Sequence, residues 1–112
     1  MYKKINQLVK RYFLAFQKKN ISKLEVLFEE RIILNDWNNF IRGKKRVVIF
    51  NKKIFSKFKK IKINIKKIFY DKKTSKVACI IDVILDKTKI RVIDVIYFSK
   101  KMKIKKIEAY KL

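Results

Sequence analysis

Residues 89–99 read KIRVIDVIYFS. A strand points successive side chains to opposite faces, so Ile90, Val92, Ile96 and Phe98 share one face, and Asp94 stands in the middle of that apolar row. Burying a carboxylate there unpaired costs on the order of several kcal/mol, or raises its pKa until it takes up a proton. Asp94 is therefore paired, at a wet edge, or placed in a cavity for use.

The flanking segments extend the sheet. Lys76 to Leu85 (KVACIIDVIL) is a long strand joined to the first by a turn at Asp86-Lys87-Thr88, and Lys103 to Leu112 is the last strand, after a turn at Lys100-Lys101. Upstream, Ile61, Ile63 and Ile65 alternate with lysine before the phase slips at Lys66-Lys67 and resumes with Ile68 and Tyr70, the mark of a bulge in a bent strand. Asp71 to Ser75 turns the chain. Asp82 also lies inside an apolar strand, as a further pocket carboxylate or an edge residue facing a lysine.

The N-terminal half is mostly helical. Tyr2, Ile5, Leu8, Val9, Tyr12, Phe13 and Phe16 recur at three-and-four spacing and predict a helix over about Tyr2 to Lys19. Ser22-Lys23-Leu24-Glu25 reads as a capping box opening a second helix that runs to about Glu30. RIILNDW, Arg31 to Trp37, reads as a short strand, Asn38 to Arg42 as loop, and Gly43 as the entry to a third helix carrying Val47, Val48, Phe50, Ile54, Phe55 and Phe58. This order predicts a single α+β domain over residues 1–112, a curved antiparallel sheet with helices on one face. The middle strands are apolar on both faces, Cys79, Ile81 and Val83 against Ala78, Ile80 and Ile84, so the uncovered face is expected to meet a second copy in a homodimer.

The formal net charge is +23 at 49% hydrophobic residues, so the chain is a folded protein rather than a disordered polycation. Its lysines run from Lys3 to Lys111 without clustering, which points to the codon bias of an AT-rich genome and to weak, non-specific attraction for nucleic acid. With no histidine and one cysteine, Cys79, a metal set or internal disulfide is not expected, and a free buried thiol fits a reducing cytoplasm. No run of the sequence has the length of a membrane span.

Several segments together resemble the nuclear transport factor 2-like fold, and within it the SnoaL-like proteins and steroid Δ-isomerases: KRYFLAF, KNISKLEVLFEE, LNDW, the lone RGK, and VIDVIYFSKKMKIKKIEAY. The resemblance covers nearly the whole chain and implies a cone-shaped roll around an apolar pocket. It also implies three site residues, Tyr12, Asp36 and Asp94. In ketosteroid isomerase an Asp base moves a proton while a Tyr and a protonated Asp hold the enolate oxygen. Carried over, Asp36 is the general base, Tyr12 and Asp94 are the oxyanion donors, and Trp37, Phe16 and Ile96 line the ligand. No cofactor is implied. The readings are then a cofactor-free isomerase or cyclase acting next to a carbonyl, a non-catalytic module for a small hydrophobic or enolisable ligand or for dimerisation, and a polyanion-binding surface.

Overall fold

The computed structural model describes residues 2–112. Helix α1 spans Tyr2–Gln17 and buries Ile5, Leu8, Val9, Tyr12 and Phe13, the predicted stripe. Helix α2, Ile21–Glu25, is shorter than predicted, and its N-cap is Asn20, whose side chain accepts from the Lys23 backbone N–H at 3.1 Å. Ser22 of the expected capping box lies inside the helix, because the Asn20 N–H already closes α1 on the Ala15 carbonyl at 2.8 Å and leaves Asn20 at the start of the next turn.

The second helix stops well before Glu30 because Phe28 is drawn into a sheet. Strand β1, Phe28–Asn35, buries Phe28, Ile32 and Leu34 and runs parallel to the last strand, with a register shift between Phe28 and Ile33. That shift hides the alternation a strand normally shows. Strand β2, Phe40–Arg42, pairs antiparallel with β1 where a loop is expected. It is an exposed edge strand, so no buried face marks it in the sequence.

Helix α3, Lys44–Lys57, starts at Gly43, whose φ of 96° and ψ of 141° lie outside the regions open to other residues. Strands β3 (Ile61–Asp71), β4 (Lys76–Leu85), β5 (Thr88–Phe98) and β6 (Ile104–Lys111) follow as predicted, and the slip in β3 falls between Ile65 and Lys67. The described strands form one six-stranded sheet in the order β2-β1-β6-β5-β4-β3. The β1·β6 pair is parallel, so the sheet is mixed rather than wholly antiparallel as predicted. This pairing carries the N-terminal half across the sheet. The core, including Phe28, Ile32, Cys79, Ile96, Ile104 and Ile107, fills the face beneath α1 and α3.

On the opposite face Ile80, Ile93 and Val95 are half-buried. Lysine stems supply part of that cover: Lys76 and Lys106 Nζ each lie 5.4 Å from the Tyr97 ring centre, and Lys67 Nζ lies 4.9 Å from that of Phe69. Among the described residues no helix is long and apolar enough to cross a membrane.

A Cβ at Gly43 would meet nothing within 4 Å, so the cost of a side chain there is confined to the backbone. Gly43→Ala should lower unfolding free energy by about 1–3 kcal/mol in urea denaturation. An unchanged midpoint and slope would show that the backbone relaxes without strain.

Candidate active site

A cavity of about 280 Å³ opens between the helices and the sheet. Tyr12, Phe13 and Phe16 of α1 form one wall, Phe50, Asn51 and Ile54 of α3 another, and β4, β5 and β6 supply the floor with Ile81, Val92 and Ala109. Leu34, Asp36 and Trp37, from the end of β1 and the turn after it, complete the rim. Tyr12, Asp36 and Asp94 line this one cavity, together with Trp37 and Phe16.

Register places Asp94. Its cross-strand neighbours are Cys79 on β4 and Ala109 on β6, both small, so the carboxyl stands between two short side chains instead of being packed over. Asp94 is 8% exposed, and burial, followed by the nearby Asp36 charge, pushes its pKa up to about 7. Local desolvation thus outweighs the positive field expected from the lysines, which solvent and salt screen. Tyr12 is held by aromatic neighbours, with ring centres 5.1 Å from Phe13 and 6.2 Å from Phe28. Burial, then the charge of Asp94 and that of Cys79, raises the Tyr12 pKa, so the hydroxyl keeps its proton at neutral pH and can donate.

The two carboxyl oxygens of Asp36 are held differently. Its Oδ1 accepts from the backbone N–H groups of Asn38 at 2.8 Å and Asn39 at 2.7 Å, the turn role that Asn and Asp favour. Oδ2 keeps only a 3.3 Å contact with the Asn39 side chain, so one oxygen is lightly held at the cavity wall. Trp37 is 46% exposed and lines the same cavity beside Asp36.

Ile96 corrects the sequence reading. It shares a face with Asp94 but is fully buried in the core, paired with the buried Val77 of β4, and is not part of the cavity wall. Asp82 is no pocket carboxylate either. It lies on the opposite face, gripped by Arg91 Nε at 2.7 Å and Nη2 at 3.2 Å, with Lys89 at 3.5 Å and Lys66 at 3.7 Å. The Arg91 hydrogen bond, with these cations around it, holds its pKa down to about 2.

The sequence reading misses Asn51. Its position among Val47, Val48 and Phe55 on the buried face of α3 could have flagged it, as an amide inside an apolar stripe.

With no histidine in the chain and burial pushing the Cys79 thiol up to about 12, Asp94 is the side chain whose shifted pKa lies nearest neutrality. Its folded pKa is raised, so the folded state holds a proton that the unfolded chain releases at about pH 4. Stability should therefore fall as pH rises through about 4 to 7, by up to about 4 kcal/mol. Asp82, with a depressed pKa, slopes the other way, but only in the acid range below about pH 4. Urea denaturation should show a more stable protein at about pH 5 than at about pH 8, and Asp94→Asn should flatten this dependence and stabilise the protein at the higher pH. A variant with the parental slope would place the titrating group elsewhere.

No family model matches the chain, and no curated protein matches it. Among solved structures, a nuclear transport factor 2-like protein of unknown function from Cytophaga hutchinsonii superposes with a TM-score of 0.82 at 18% identity, over 96% of this chain and 89% of that one. A candidate SnoaL-like polyketide cyclase from Shewanella denitrificans gives 0.85 at 14% identity, over 96% and 90%. A candidate ketosteroid isomerase from Kribbella flavida gives 0.83 at 11% identity, over 98% and 78%. The α+β roll around this cavity is thus the nuclear transport factor 2-like fold, the one the sequence resembles.

Proposed function

We propose that the cavity takes a small, uncharged, largely apolar molecule with a carbonyl oxygen and moves a proton on the carbon next to it without a cofactor. The supporting observation is chemical: burial keeps the Tyr12 hydroxyl protonated and lets Asp94 hold its proton up to about pH 7, in the same apolar cavity that Asp36 lines. Asp36 Oδ2 would take the proton from carbon, the bonding electrons would move onto the carbonyl oxygen, and Tyr12 and Asp94 would donate hydrogen bonds to it. Returning the proton to a different carbon completes an isomerisation. The candidate isomerase and cyclase with this fold favour such chemistry by analogy alone.

The cavity wall also speaks to charge. The chain has 32 Lys and Arg residues, yet none lines the cavity, whose carboxyl groups are those of Asp36 and Asp94. A carboxylate or phosphate ligand would find no counter-ion there, which favours neutral ligands.

A β,γ-unsaturated ketone, followed by the ultraviolet absorbance of its conjugated product, tests the reaction. Asp36→Asn should lower turnover by about 10²-fold or more and leave ketone affinity within a few-fold. Tyr12→Phe and Asp94→Asn should combine non-multiplicatively, since both act on one developing charge, and turnover should decline as Asp94 ionises above about pH 7. If Asp36→Asn alters only affinity or stability, the cavity is a binding module and Asp36 serves its turn.

The outer sheet face, with Ile80, Ile93 and Val95 half-buried and Phe69 and Tyr110 about half-exposed, is proposed to meet a second copy of the chain. Two strongly cationic copies repel, so sedimentation should show twice the chain mass and an association that tightens as salt rises. Nucleic-acid binding would weaken with salt instead. A monomer at all salt concentrations would remove the dimer.

A further inference from the structure

Asn51 is 4% exposed and lies in the interior of α3, with Val47, Val48 and Phe55 as the other buried residues of that helix. An amide there is a weak helix former, and burial removes it from bulk water. No hydrogen bond within the described residues engages its side chain. No fully buried side-chain nitrogen or oxygen lacks a partner either, so the amide must open onto the cavity it lines. Tyr12 and Asp94 share this condition. All three are more than nine-tenths buried, line the same cavity, and accept or donate no hydrogen bond among the described side chains.

Asn51 differs from the other two in location and in chemistry. Tyr12 and Asp94 come from α1 and β5 and, on the reading above, serve one ligand oxygen as donors, whereas Asn51 comes from α3 and offers a carbonyl acceptor beside its donors. We propose that Asn51 is a positioning residue that reads a second polar group, a hydroxyl or carbonyl, on the ligand. The ligand class is then a neutral, largely apolar compound with two separated oxygen functions, one at Tyr12 and Asp94 and one at α3. This rests on the reading of the cavity as the ligand site, and adds the orientation in which a ligand is held. A singly oxygenated ligand could bind in more than one pose, while a doubly oxygenated one is fixed, which is how a few placed polar groups give an apolar pocket its specificity.

The test compares 2-naphthol with the 1,6-, 2,6- and 2,7-naphthalenediols by fluorescence titration. At least one diol should bind the parent protein about five- to tenfold more tightly than 2-naphthol, the worth of one buried hydrogen bond. Asn51→Leu, close in shape and without polar atoms, should abolish that preference and leave 2-naphthol affinity within about twofold. Tyr12→Phe should weaken naphthol and diols alike. In the absence of any probe, Asn51→Leu should leave thermal stability unchanged or raised, because the amide has no partner to lose.

A preference that survives Asn51→Leu, or the lack of any diol preference, would overturn the role of Asn51 and leave the cavity reading intact. A marked drop in thermal stability would also overturn it, by showing that the amide is bonded within the protein. If none of the four compounds binds, the cavity reading falls, and the role of Asn51 falls with it.

Discussion

Ten consecutive cross-strand pairs between β4 and β5 hold Asp94 opposite Cys79 and Asp82 opposite Arg91. Because side chains alternate faces, a slip of one residue would turn every group on one strand to the other side. Asp94 would leave the cavity for the lysine-rich outer face, and Ile93 would take its place. The hairpin register therefore decides which aspartate is desolvated and which is paired. The residue type alone does not. Two aspartates in similar apolar strands end near opposite extremes, one at about 7 and the other at about 2, through the faces on which they stand.

Much of this was legible in the sequence where burial is one-sided. The slip at Lys66-Lys67 is visible because isoleucines mark a face before and after it, and β3 does shift register there. The start of β1 was not legible, because Phe28 and Ile32 are four residues apart and mimic a helical spacing across a register shift. β2 was hidden by its exposure at the edge. Among site residues, Asp94 stands out as a charge in an apolar row, while Asn51 is uncharged and easily taken for the polar side of an amphipathic helix. Ile96 shows the limit of alternation: period two gives the face, but depth along the strand depends on which helix lies above.

The lysine content and the cavity obey different physics. On the surface, long aliphatic stems cover apolar sheet while their ammonium groups stay in water, as Lys76 and Lys106 do over Tyr97. Inside, the chain withholds cations altogether. A surface can drift toward lysine under mutational bias with little effect on the chemistry of an interior it does not reach, since exposed charges are screened within about 8–10 Å.

Cys79, the only cysteine, is fully buried in β4 beside Asp94, and its thiol is held far from ionisation. A thiol reagent can reach it only when β4 and β5 separate, because the reactive species is the exposed thiolate. The protein thus carries an internal clock in the sheet beside its cavity: the labelling rate of one native sulfur reports how often β4 and β5 part there.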